Sequence, residues 1–254
     1  MIERADVDGI AVVRMAAGKV NALDLALVQA ITSTFADLDD STVGGIVFTG
    51  SGRAFSAGVD LWQILDGGAD YVRAFLPALI KCFETVFGTG KPVVAAVNGH
   101  AIAGGCILAC CCDHRIMADA PGRIGVTELA VGVPFPVSAL EILGFAAGHR
   151  RARSAVLSAA AFEPDVAVGK GLIDEVVPPD ELMPRALATA ARLAEQIPAE
   201  TFRLTKSQLR AEVWERLARR RQVEDPQTTA LWLARVEDGY IRKYMQRVTA
   251  QSAG

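Results

Sequence analysis

Three segments of this chain carry residue types suited to holding negative charge on an oxygen atom. The first, Gly50-Ser51-Gly52-Arg53-Ala54-Phe55-Ser56-Ala57-Gly58-Val59-Asp60-Leu61, gathers small residues around a glycine, so backbone N–H groups can approach a ligand closely. The second, Asn98-Gly99-His100-Ala101-Ile102-Ala103-Gly104-Gly105-Cys106, leads from an apolar run into an apolar helix. The first N–H groups of such a helix lack intrahelical partners and lie at the positive end of its dipole. Two elements of this kind facing each other would make an oxyanion hole. The third, Gly125-Val126-Thr127-Glu128-Leu129-Ala130-Val131-Gly132-Val133-Pro134, places one carboxylate, Glu128, in an otherwise uncharged run. Each signal has an ordinary explanation by itself, a Gly-Gly turn or one half of an ion pair. Their order and spacing in a single chain distinguish them.

Other arrangements carry less. Ser56 does not stand in a Gly-x-Ser-x-Gly elbow, and the chain has neither a P-loop nor a dinucleotide fingerprint. Cys106, Cys110 and His114, at i, i+4 and i+8, would line one face of a helix. Ligands from one straight helix cannot wrap a tetrahedral ion, whereas free cysteines pack as small hydrophobes, so no metal site is expected. His100 is read either as a wall of a pocket or as a hydrogen-bonded turn residue, the second being the simpler.

The elements that must position these segments alternate. β-Branched runs at residues 10–15, 46–49, 93–97 and 115–118 read as strands, as does 172–177 before Pro178-Pro179. Residues 23–38 have helical spacing, with Asn21 or Asp24 as a possible cap, and 69–87 form a second helix kinked by Pro77. The stretch from Val93 to Cys112 has no charged residue, which raises a membrane span. Asn98-Gly99-His100 and Gly104-Gly105 interrupt it, so a buried strand, a turn and a short buried helix are expected instead. The pattern predicts an α/β core over residues 1–180 with largely parallel pairing, and a helical region over 181–254. Within that region helices are expected at 184–196, 199–221 and 228–246, with 223–227 as a linker. Their apolar faces are expected to pack on a neighbouring subunit.

Composition narrows the classes. Of 254 residues 51% are hydrophobic, and the net charge is −3. The mean hydropathy of +0.28 argues against disorder. No basic stripe points to nucleic acid. Five cysteines, three of them consecutive, make a poor disulfide framework, and the N-terminus has no signal-peptide pattern. A reducing, cytoplasmic compartment and no membrane association are the expectations.

Several motifs then resemble one family across nearly the whole chain. They are Val20-Asn21-Ala22-Leu23, Ala54-Phe55-Ser56-Ala57-Gly58-Val59-Asp60-Leu61, Ala96-Val97-Asn98-Gly99, Ala103-Gly104-Gly105-Cys106, Cys112-Asp113-His114-Arg115-Ile116 and Gly169-Lys170-Gly171-Leu172-Ile173-Asp174-Glu175-Val176-Val177. The family is the crotonase (enoyl-CoA hydratase/isomerase) superfamily. The resemblance implies a crotonase-like spiral of ββα repeats with a C-terminal helical trimerisation region, and assembly as a homotrimer or hexamer. It implies an acyl-CoA substrate, and no cofactor beyond the coenzyme A that the substrate carries. It further implies an oxyanion hole from the N–H groups of Val59 and Gly104, and CoA or substrate contacts at Val20, Ala22, Ala57, Asp60, Leu61, Ile102 and Thr127. The acyl pocket would be lined from residues 61–79 and 131–135. Trp62 stands where some hydratases place a phosphate-binding lysine, which leaves Lys19 and Arg53 as substitutes.

Hydratases of that superfamily use two glutamates, which would fall at positions 107 and 128; this chain has Ile107 and Glu128. Adding water to a double bond needs that water held and oriented, whereas moving the double bond needs one base. Gly104-Gly105-Cys106-Ile107-Leu108-Ala109, Gly125-Val126-Thr127-Glu128 and the tail Tyr240-Ile241-Arg242-Lys243-Tyr244-Met245-Gln246-Arg247 resemble mitochondrial-type Δ3,Δ2-enoyl-CoA isomerases. The resemblance therefore implies an isomerase of the fatty acid β-oxidation type, shifting 3-enoyl-CoA to 2-trans-enoyl-CoA through a thioester dienolate, with Glu128 as the catalytic residue. The alternatives are an enoyl-CoA hydratase, another CoA-thioester enolate reaction, or a catalytically idle acyl-CoA binder.

Overall fold

A computed structural model describes residues 1–252. The chain opens with strands β1 (Ile2–Val7) and β2 (Ile10–Met15) and helix α1 (Leu25–Asp39). Three turns of one pattern follow, each a strand, a second strand and a helix. They are β3 (Gly45–Gly50), β4 (Ala54–Ser56) and α2 (Leu61–Gly88); β5 (Val93–Val97), β6 (His100–Ile102) and α3 (Gly104–Cys110); and β7 (His114–Ala118), β8 (Ile124–Gly125) and α4 (Glu128–Val131). Then come α5 (Val137–Ala147), α6 (His149–Ser158), β9 (Ala161–Phe162), α7 (Pro164–Gly169) and β10 (Glu175–Val177). Helices α8 (Leu182–Gln196), α9 (Ala199–Glu237) and α10 (Tyr240–Ser252) complete the described chain. The first strand of each turn joins a six-stranded sheet in the order β1-β2-β3-β5-β7-β10, and the second joins a four-stranded sheet, β4-β6-β8-β9. Only β1 and β9 pair antiparallel. This is the ββα spiral that the motifs implied.

The large sheet is covered on both faces, which is why its strands read as nearly unbroken apolar runs. Side chains alternate between two cores. Val13, Phe48, Ala95 and Met117 enter the main core with α1, α2 and α3. Val12, Val47, Val94 and Ile116 meet Leu182, Ala186 and Ala190 of α8 on the other face.

Several local expectations need correction. Asp24, not Asn21, caps α1, its carboxylate accepting from Leu27 N at 2.7 Å. Asn21 is fully buried with φ 50° and ties loops together: its side-chain amide donates to Ala54 O at 2.9 Å, and its Oδ1 accepts from Ala17 N at 3.0 Å. Helix α2 breaks at Gly68 (φ 58°), not at Pro77. Pro77 and Arg73, the residue whose carbonyl it frees, are both exposed, so the carbonyl can be satisfied by solvent and the helix continues. Residues 223–227 are not a linker for the same reason: α9 runs through Pro226 as one helix, with Gln222 and Pro226 exposed. The interruption comes at Gly239, in the left-handed region at φ 72°.

Two buried cations, Lys206 and Arg210, tie α9 to the spiral through five hydrogen bonds. The buried Lys206 donates to Lys91 O at 2.7 Å and to Asp113 Oδ2 at 2.6 Å. Arg210 reaches Asp113 Oδ1 at 2.7 Å and also donates to Phe87 O and Cys111 O. Its positive charge thus sits against carbonyls at the C-terminal ends of α2 and α3, where a cation is favoured. Burial pushes the Lys206 amine down to about 8, with Asp113 opposing the shift.

The apolar stretch 93–112 divides as expected into β5, β6 and the buried α3. Among the described residues no helix is long and apolar enough to cross a membrane. All five cysteines are buried and unpaired.

Candidate active site

Each turn of the spiral ends where its second strand meets a helix, and three of these starts surround one cavity of about 490 Å³. All ten residues singled out in the sequence line it. Val20 and Ala22 come from the loop before α1; Ala57, Val59, Asp60 and Leu61 from the junction of β4 and α2; Ile102 and Gly104 from that of β6 and α3; Thr127 and Glu128 from that of β8 and α4.

Close backbone approach explains the small residues. Leu23 N donates to Gly58 O at 2.8 Å and Asp60 N to Leu23 O at 3.0 Å. This bridge leaves the N–H of the intervening Val59 unused. A Cβ on Gly58, where φ is 82°, would lie 2.6 Å from Ile102 O, so only glycine lets the first loop touch the second. A Cβ on Gly104 would lie 2.9 Å from Leu23 Cδ1 and 3.9 Å from Val59 Cγ2, so Val59 and Gly104 are neighbours on the cavity wall. Gly104 is the first residue of α3, and its N–H has no intrahelical acceptor. The preceding Ala103 holds φ 51° and ψ −120°, a strained backbone for a residue with a Cβ. Ala103 N donates to Gly125 O at 2.8 Å, which fixes that turn against β8.

Glu128 is the first residue of α4. The residue as a whole is half-buried, but its Oε2 is closed off from solvent and has no hydrogen-bond partner. Burial raises its carboxyl to about 8, although the backbone amides of Glu128 and Thr127 pull the other way. Among the described residues the only other acid lining the cavity is Asp60. Its carboxylate is engaged as the cap of α2, accepting from Trp62 N at 3.0 Å and Gln63 N at 3.1 Å. Ile107, one turn into α3, is fully buried and lines the same cavity.

Other sequence candidates fall elsewhere. His114 lies on β7, beyond the end of α3, so it cannot share a helical face with Cys106 and Cys110. His100 is exposed and accepts from Arg123 N at 3.3 Å, outside the cavity. Lys19 and Arg53 are exposed and do not line it either. Of the proposed acyl walls, Leu61, Trp62, Leu79, Val131, Val133 and Pro134 contribute, while Phe135 turns into the core.

Sequence reasoning missed the fourth wall. Trp232 of α9 and Tyr244, Met245 and Val248 of α10 close the cavity from the same chain. The spacing of Ile241, Tyr244, Met245 and Val248 (i, i+3, i+4, i+7) carried that signal, the mark of a helix with one apolar face.

Comparisons with known proteins bear on the family and the fold. A family model described as "Enoyl-CoA hydratase/isomerase" matches residues 6–239. The mitochondrial enoyl-CoA delta isomerase 1 of Rattus norvegicus is 30% identical over 227 residues, 88% of this chain and 78% of that protein. The crotonyl-CoA hydratase of Syntrophomonas wolfei is 35% identical over 156 residues, 61% of this chain and 60% of that protein. Among solved structures, human mitochondrial Δ3-Δ2-enoyl-CoA isomerase superposes with a TM-score of 0.88 at 26% identity, covering 99% of this chain and 98% of that one.

Proposed function

This chain belongs to the enoyl-CoA hydratase/isomerase family of enzymes, and from that premise we propose that it moves the double bond of a 3-enoyl-CoA to the 2-trans position. In this reading the thioester oxygen accepts hydrogen bonds from the N–H groups of Val59 and Gly104. Glu128 removes a proton from C2, which puts negative charge on the oxygen as a dienolate forms. The carboxylic acid so created returns the proton to C4, regenerating the base. Fixed main-chain donors suit this chemistry because they need no reorganisation as charge develops, each worth about 2.7–4 kcal/mol. A carboxyl raised to about 8 is close to the pH at which it works, which favours proton transfer in both directions.

The observation that carries the choice of isomerisation is the lining of the cavity: among the described residues its only acids are Glu128 and Asp60, position 107 is the apolar Ile107, and Asp60 is engaged as the cap of α2. Nothing there matches a second carboxylate able to hold a water molecule beside the alkene. Val20, Ala22, Ala57, Leu61, Ile102 and Thr127 line the path for coenzyme A and the acyl carbonyl, and Asp60 shapes it by capping α2. The reaction is redox-neutral and calls on no cofactor beyond the CoA of the substrate. Assembly as a homotrimer or hexamer is part of the same reading and follows from the resemblance to the crotonase superfamily. Five unpaired thiols fit a reducing compartment such as the cytoplasm.

A paired assay tests the proposal. With 3-hexenoyl-CoA the enzyme is expected to form 2-trans-hexenoyl-CoA, and with crotonyl-CoA to form no 3-hydroxybutyryl-CoA. Rapid hydration of crotonyl-CoA would overturn the isomerase reading in favour of a hydratase. Binding of both without any product would leave only an idle acyl-CoA binder.

A further inference from the structure

The segment that follows Glu128 cannot support its own backbone. Pro134 and Pro136 have no N–H, and residues 133–136 form neither a helix nor a strand. At its start the segment is tied to the base itself: Gly132 N and Val133 N donate to Glu128 O at 3.0 and 3.1 Å. Beyond that point, two of its carbonyls and the N–H of Val137, the first residue of α5, find partners on one face of α9. Trp232 Nε1 donates to Pro134 O at 3.1 Å, Thr228 Oγ1 donates to Phe135 O at 3.2 Å, and Asp225 Oδ1 accepts from Val137 N at 3.1 Å. Positions 225, 228 and 232 are i, i+3 and i+7, which share one side of a helix. Thr228 and Trp232 are 7% and 3% exposed, so these bonds are shielded from water.

The part of the cavity held in this way is apolar. Val133, Pro134, Pro136, Ala139 and the Trp232 indole line it, and hydrocarbon is the only part of an acyl-CoA such a wall suits. We infer that Asp225, Thr228 and Trp232 form a clamp that fixes residues 134–137 as the end wall of the acyl cavity and thereby sets how long a fatty acyl chain the enzyme accepts. The inference rests on the proposed use of this cavity for acyl-CoA. Thr228 and Asp225 act through the loop as positioning residues, while Trp232 both holds the loop and faces the chain.

The test measures binding by calorimetry, which does not depend on turnover. Coenzyme A, hexanoyl-CoA and dodecanoyl-CoA are titrated into the wild-type protein, Thr228→Val, Thr228→Ser and Trp232→Phe. Thr228→Val keeps the side-chain shape and Trp232→Phe keeps an aromatic ring, but each loses its hydrogen bond to the loop. In both, the affinity for dodecanoyl-CoA relative to hexanoyl-CoA is expected to rise about fivefold, the scale of one lost hydrogen bond. Thr228→Ser should keep the wild-type ratio, and the affinity for coenzyme A alone should not change. Melting curves identify folded variants; an unchanged ratio in either Thr228→Val or Trp232→Phe counts against the clamp, whereas a rise counts for it only in Thr228→Val, because Trp232 also lines the cavity. An unchanged chain-length ratio in a folded variant overturns the clamp while leaving the proposed function intact. If the wild-type protein binds neither thioester, the proposed function fails and the clamp fails with it.

Discussion

At the scale of single residues, the chemistry depends on a carboxyl group placed where it holds its proton unusually tightly. Glu128→Gln keeps the shape and hydrogen-bonding reach of the side chain but cannot accept the C2 proton. Turnover should fall by about 10²–10⁴-fold or more, with the affinity for saturated acyl-CoA nearly unchanged in calorimetry. The base works only when deprotonated. With its carboxyl at about 8, kcat/KM should rise tenfold per pH unit below that value and level off above it. Stability runs the opposite way. A carboxyl raised on folding binds more protons in the native than in the unfolded state between its ordinary value and about 8. Stability is therefore greatest at low pH within that window and declines as pH rises through it. The Gln variant lacks this penalty, so at pH 9 its melting temperature should exceed that of the wild type. Ile107→Glu tests the missing partner from the other side: a carboxylate on the facing wall should confer measurable hydration of crotonyl-CoA, at a cost in stability because position 107 is fully buried. The residues that line the cavity were legible at this scale because small residues in ligand-facing loops and one acid in an apolar run stand out in sequence, while their roles came from the family resemblance. Asp60 was not legible as a cap, since a carboxylate beside a ligand loop and one at a helix start look alike until the helix boundary is known.

Among elements, the three helix starts are held together by contacts that tolerate no added carbon. Gly58→Ala would place its Cβ 2.6 Å from Ile102 O in a left-handed conformation. It should destabilise the fold by about 1–3 kcal/mol in urea unfolding, and should lower kcat by disturbing the Val59 amide. The strands were legible because β2, β3, β5 and β7 are short β-branched runs with the uniform burial that a doubly covered parallel sheet requires. The short strands β4, β6 and β8 were not, since two or three residues carry no periodicity. Prolines misled in both long helices. Pro77 and Pro226 lie at exposed positions, as do Arg73 and Gln222, whose carbonyls they release, so solvent can satisfy those carbonyls and the helix continues.

For the whole molecule, the C-terminal helices complete the site that the spiral begins. The sequence pattern separates a core from a helical region but does not show that α8 seals one face of the sheet, or that α9 and α10 close the cavity of their own chain. Such long-range returns depend on which apolar faces meet, and helical periodicity reports a face without naming its partner. The buried Asp113 cluster ties the two regions together. Asp113→Asn would leave Lys206 and Arg210 buried with no anion between them, and should cost about 3–5 kcal/mol of stability, read from denaturant unfolding. The central claim, that one carboxyl opposite two amides relocates a double bond without delivering solvent, is tested most directly by supplying the wild-type enzyme with 3-hexenoyl-CoA in ¹⁸O-labelled water. The expected accumulating product is 2-trans-hexenoyl-CoA free of the label, whereas ¹⁸O-labelled 3-hydroxyhexanoyl-CoA formed at a comparable rate would contradict the claim.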